Sequence, residues 1–138
     1  MGTVIITGAN GNLGTMVTKH FLEKGYKVVA TVIDATAKKD LAEHENLQTE
    51  IVNLTNEGET SSFVQMVLDR HKKVDAALML VGGFAMGDIF HTTVGDIKKQ
   101  IALNFETAYN LTRDILEFVI SEKSSTLRET ILKVYNNS

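Results

Sequence analysis

One stretch carries the sharpest chemical signal: Thr7-Gly8-Ala9-Asn10-Gly11-Asn12-Leu13-Gly14. It follows a short β-branched run, Thr3–Thr7, and opens a helical pattern of Leu13, Met16, Val17 and Phe21. In that setting each glycine has a task. Gly8 permits a tight turn out of the strand. Gly11 lets backbone approach a pyrophosphate with no Cβ in the way, and Gly14 allows close packing of helix on strand. Free N–H groups at the helix start, with the helix dipole behind them, favour a phosphate. The spacing therefore predicts a dinucleotide held by Thr7, Gly8, Asn10, Gly11, Asn12, Leu13 and Gly14. No Gly-Lys-Ser/Thr follows, so this is not a Walker loop.

Further candidates lie where the later strands should end. Asp34 comes twenty residues after Gly14, at the close of a second strand-like run, Lys27–Ile33. A carboxylate there can accept from ribose hydroxyls and would repel a 2′-phosphate. It can equally be a solvated turn residue. Lys38 and Lys39 nearby would attract a 2′-phosphate, so the expected cofactor is NAD or NADP, with Asp34 tilting toward NAD. Asn53 and Leu54 end a third run, Leu47–Leu54. The Asn53 amide offers a donor and an acceptor to an adenine edge, or bonds its own backbone in a turn. Gly82 and Gly83 follow a fourth run, Asp75–Val81. They would let backbone approach the nucleotide, or are loop glycines.

The elements that must position these residues alternate. Gly25 caps the first helix, and Asp40–Glu45 is read as a short helix. Asn56 and Glu59 form a capping-box-like start for a helix to His71 with Phe63, Met66 and Val67 on one face. Asp75–Val81 is nearly all apolar, as a strand buried on both faces should be. Ile97, Ile101, Phe105, Ala108, Leu111, Ile115 and Phe118 predict one long amphipathic helix. Thr126 with Glu129 suggests another, carrying Leu127, Ile131 and Val134. This alternation predicts an α/β, doubly wound parallel sheet of Rossmann-like form, about four strands in the order 3-2-1-4. Residues 1–120 are expected to form the dinucleotide-binding domain and 121–138 a helical tail of it.

Composition narrows the classes. The sequence has 138 residues, 43% apolar and 22% charged, with a formal charge of −3. One soluble domain fits, and no run approaches the ~20 apolar residues a spanning helix needs. Cysteine is absent and the four histidines are scattered, so no metal site is expected. The negative balance argues against nucleic acid. Thr-Val-Ile-Ile-Thr is too short, and lacks the basic lead, for a secretory signal. The expectations are a cytoplasmic protein with a small-molecule substrate and no membrane partner.

Together these features resemble the short-chain dehydrogenase/reductase family. Thr-Gly-x-x-Gly-x-x-Gly at Thr7–Gly14 looks like its extended and atypical branches. Asn53-Leu54-Thr55 falls where the family often has an adenine-contacting Asp. Leu80-Val81-Gly82-Gly83, with Val74-Asp75-Ala76 before it and Phe84-Ala85 after it, looks like the dihydropteridine reductases. Ala102-Leu103-Asn104-Phe105 resembles the family's helical Asn motif, which implies a supporting catalytic role for Asn104 in ordering a proton-relay water. As a plain residue, Asn104 would tie helix to sheet. The resemblance covers about residues 1–118 and implies an NAD(P)(H)-dependent oxidoreductase acting on a small carbonyl, alcohol or quinonoid compound. The family's catalytic Tyr-x-x-x-Lys is absent from this sequence. Tyr109 and Arg113 come nearest, and read as an ordinary i,i+4 pair. The fold is therefore expected to be truncated. The alternative is a dinucleotide-binding module without catalysis, or an inactive folded fragment. The missing strand and the apolar helix also predict a homo-oligomer.

Overall fold

β-Branched residues dominate the centre of the sheet. In the computed structural model, which describes residues 2–121, strand β1 (Thr3–Thr7) is buried along its whole length. It pairs in parallel with β2 (Lys27–Val32) on one side, from Thr3↔Lys27 to Thr7↔Thr31. On the other side lies β4 (Ala76–Met79), from Val4↔Ala76 to Thr7↔Met79. β3 (Leu47–Ile51) pairs with β2. The order is β3-β2-β1-β4, all parallel, as the alternation predicts.

Period-two alternation divides β1 and β2 between two cores. Ile5 and Val29 point to one face, with Val52, Phe63, Val67 and Leu111 from helices α3 (Glu57–His71) and α5 (Thr107–Ser121) and the strand ends. Val4, Ile6, Val28 and Ala30 point to the other, under Val17, Phe21 and Leu22 of α1 (Asn12–Glu23). Helices thus cover both faces. Asp75 ties the start of β4 to β1: its Oδ2 accepts from Thr3 N at 2.7 Å, and Lys73 Nζ lies 3.0 Å from Oδ1.

Several expectations change. The short helix after β2 is α2 (Ala35–Lys39), because Asp34 caps it, and Asp40–Glu45 is irregular. Leu13 and Met16 are exposed. The inward face of α1 is instead Gly14 and Thr18, with Val17 and Phe21 partly buried. β4 is shorter than Asp75–Val81 and only half-buried, since it is the edge among the described residues. The long helix is interrupted. α4 (Val94–Ile101) runs into a π-helical segment, Ala102–Glu106, before α5. Thr107 N donates to Ala102 O, five residues back. The wider turn shifts the phase of the apolar stripe. Ile97, Ile101 and Phe105 face outward, while Leu111 and Val119 are buried. The expected Thr126–Glu129 helix and the 121–138 tail lie, past Ser121, outside the described residues.

Candidate functional site

All four strands end at the same side of the sheet, and their ends enclose a cleft of about 320 Å³. Gly8, Asn10 and Gly11 come from the β1–α1 turn. Thr31, Val32 and Ile33 end β2, and Val52–Thr55 follow β3. Leu80, Val81 and Gly82 follow β4, and Leu103 and Thr107 close the floor. The crevice outside the carboxyl ends of parallel strands is where open α/β sheets bind ligands. None of the lining residues is titratable. The walls are aliphatic with a few amide and hydroxyl groups, suited to a flat heterocycle.

The glycines at the rim answer to close approaches. Gly8 has φ +62°, and a Cβ there would also lie 3.0 Å from Leu80 O. A Cβ on Gly14 would run into Gly8 O and the Ala9 backbone. Gly11 is the N-cap of α1, with φ −69° and ψ 169°. α1 has no side-chain cap and no acidic residue in its first turn. The starts of α2, α3 and α4 are closed: Asp34 accepts from Ala37 N, Asn56 from Glu59 N, and Thr93 from Asp96 N. Asn12 and Leu13 open α1 beside Gly11, and both are exposed.

The remaining sequence-derived candidates are placed as follows. Thr7 is buried, and its Oγ1 accepts from Leu80 N at 3.0 Å, extending the β1–β4 pairing past the strand end. Asp34 gives Oδ1 to its cap at 2.7 Å and lies just outside the cleft, beside the lining residue Ile33. Asn53 lines the cleft, but its Oδ1 accepts from Thr55 N at 3.1 Å and Thr55 Oγ1 at 2.6 Å. Leu54 is buried in the wall, and its carbonyl accepts from Asn110 Nδ2 at 3.0 Å. Gly83 lies off the cleft, where a Cβ would collide with the Leu103 side chain. Asn104 lies off it too and bonds Gly83: Oδ1 accepts from Gly83 N at 2.9 Å, and Nδ2 donates to Gly83 O at 3.0 Å. Tyr109 and Arg113 are the neighbours expected on one helix face, with the guanidinium 6.0 Å above the ring.

The loop after Gly83 presents Phe84, Met86, Ile89 and Phe90 almost fully to solvent. Asp88 organises its turn by accepting from His91 Nδ1 at 2.7 Å and from the Phe90 and His91 amides. The His91 hydrogen bond leads in holding the Asp88 carboxyl below the ordinary carboxylate range. No group of three or more His, Asp or Glu side chains suited to a metal occurs among the described residues. No described helix is long and apolar enough to cross a membrane.

Sequence reading missed Thr31, Val32, Ile33, Val52, Thr55, Leu80, Val81, Leu103 and Thr107 as cleft residues. Most of them end or follow strands, so the rule that parallel strands bind at their carboxyl ends would have found them.

Comparison with known proteins agrees with this geometry. The short chain dehydrogenase family model matches residues 2–127. The dehydrogenase/reductase SDR family member 6 of Rattus norvegicus is 22% identical over 124 residues, 90% of this chain and 49% of that protein. ElxO with NADP bound is similar in fold, with a TM-score of 0.78 and 21% identity over 86% of this chain and 50% of that one. The 3-ketoacyl-(acyl-carrier-protein) reductase of Brucella melitensis complexed with NADH has a TM-score of 0.76 and 20% identity, over 84% of this chain and 49% of that one. The chain spans about half the length of these relatives.

Proposed function

The chain belongs to the short chain dehydrogenase family, and from that premise we propose that it binds a nicotinamide dinucleotide as the cofactor part of an oxidoreductase. The uncapped start of α1 at the mouth of the cleft carries this reading. Phosphates would take the open amides of Asn12, Leu13 and Gly14, and Gly8, Asn10 and Gly11 would give them backbone room. The aliphatic cleft, with Asn53 and Leu54 in its wall, would take the adenine. Asp34 would offer its second carboxylate oxygen to the ribose, which favours NAD over NADP. Gly82, backed by Gly83 and Asn104, would form the wall toward the nicotinamide. When bound, the cofactor supplies the hydride. The exposed apolar loop from Phe84 to Phe90 would meet a small carbonyl, alcohol or quinonoid substrate.

Titration of the chain with NADH and with NADPH, followed by nucleotide fluorescence, tests the proposal. Saturable binding, tighter for NADH, is expected. No saturable binding of either would overturn it.

A second reading is a binding module without turnover. It is favoured by the aliphatic, amide and hydroxyl lining of the cleft. On that reading, NADH stays unoxidised with carbonyl and quinonoid compounds although it binds.

The outward row Ile97, Ile101, Phe105 and Tyr109 supports self-association. Light scattering should give a mass above that of one chain. A monomer at high concentration would refute the association.

A further inference from the structure

Gly82 and Gly83 are the root of the loop that leaves β4, and Gly82 is part of the cleft wall. The π segment lies directly against this root. A Cβ on Gly82 would sit 3.0 Å from Asn104 Oδ1. The wall therefore stands where the Asn104 carboxamide lets it stand.

That carboxamide has a fixed orientation. Oδ1 must face Gly83 N and Nδ2 must face Gly83 O, because a flipped amide would set donor against donor and acceptor against acceptor. Its second anchor is Gln100, one helical turn earlier. Asn104 Nδ2 donates to Gln100 O at 3.0 Å and lies 3.2 Å from Gln100 Oε1. Two hydrogens on Nδ2 thus serve three acceptors, one on the loop root and two on Gln100. Asn104 is itself exposed, so water competes for every one of these bonds. Gln100 is half-buried and does not line the cleft.

We infer that Gln100 is a positioning residue for the nucleotide cleft: by holding Asn104, it sets the place of the Gly82–Gly83 wall. The inference rests on the reading of the cleft as the nucleotide site. Without the side-chain acceptor, Nδ2 keeps the Gln100 carbonyl and Gly83 O, but the amide gains freedom to tilt toward solvent. The first bond loosened by such a tilt is the one Oδ1 accepts from Gly83 N.

Two variants separate this role from a general helix effect. Gln100→Leu removes the Oε1 acceptor and keeps helix propensity. Gln100→Glu keeps an acceptor oxygen at the same reach. Hydrogen exchange of the Gly83 amide, measured without nucleotide, reads the anchor directly, and NADH titration reads its effect on the cleft. Gln100→Leu is expected to speed Gly83 exchange and to weaken NADH about two- to tenfold, the span of one modest hydrogen bond. Its thermal midpoint should stay at the wild-type value. Gln100→Glu should restore both readouts. Unchanged Gly83 exchange in Gln100→Leu, or a Gln100→Glu variant as impaired as Gln100→Leu, overturns the role of Gln100 while leaving the cleft's reading intact. Failure of the wild type to bind NADH overturns the cleft's reading, whatever the exchange data show.

Discussion

Two helix starts in this molecule are built in opposite ways. α3 begins with Asn56, whose side chain accepts from Glu59 N at 2.9 Å, and its first turn carries Glu57 and Glu59. Glu59 reaches back to Asn53 N at 2.9 Å. Donors are met locally and the dipole is answered by acid. α1 begins with Gly11, has no side-chain cap and carries no acid in its first turn. A capped start gains stability from its own residues. An open start forgoes that gain and keeps its amides available to an outside anion. The difference separates a helix end closed by its own residues from one whose amides stand open, although the two ends share one sheet.

The largest effect is expected at Gly14, where any Cβ meets the Gly8 carbonyl and the Ala9 backbone. Gly14→Val should cost about 3 kcal/mol, the upper part of the range for overpacking, because backbone cannot rotate away. Chemical denaturation measures it, and wild-type stability would show that the α1 turn has more room than the structure gives it. At the closed start, Asn56→Ala should cost about 1 kcal/mol. NADH affinity should stay within about twofold, the spread expected when no ligand bond is lost. A large loss of affinity with intact stability would reverse the roles assigned to the two starts.

The far end of α3 offers a smaller test. Lys72, its C-cap residue, has φ 62°. Lys72→Gly removes a left-handed strain of about 1–2 kcal/mol against an entropic cost of about 0.5–1 kcal/mol. The difference, about 0–1.5 kcal/mol in favour of glycine, should appear in the same denaturation curves.

The smallest effect concerns pH. Thr93 and Asp96 form a capping box on α4, and the Thr93 hydroxyl, then its amide, hold Asp96 below the ordinary carboxylate range. A lowered folded pKa contributes stability that is complete above the ordinary value and is lost as pH falls through the folded one. Protection of the first-turn amides of α4, taken relative to the intrinsic exchange rate at each pH, should therefore fall below about pH 4. Asp96→Asn should flatten that response. The start of α1 has no acidic residue in its first turn and should show no matching step.

How far the sequence was legible follows the same division. Local rules read Thr7–Gly14, the Asn56 cap and the strand order, because turn glycines, caps and alternation are short-range signals. They misplaced α2, since Asp34 was weighed for ribose and turn roles and not as a helix cap. They drew one stripe from Ile97 to Phe118 because nothing in the 3.6-residue period marks a π turn. The approach of the Leu103 side chain to Gly83 joins residues twenty positions apart and needs the fold.

The proposed nucleotide site turns on the open start of α1. Gly11 has an extended backbone that any residue can adopt, and a Cβ there would lie 3.3 Å from Gly8 O. Gly11→Asp places a favoured capping side chain and a negative charge where the phosphates would sit. NADH titration of wild type and variant is the direct measurement. The account predicts a folded variant, at least as stable as wild type, whose affinity falls by at least about tenfold, as loss of a charge-assisted bond requires. A folded Gly11→Asp protein that binds NADH as well as wild type would contradict it.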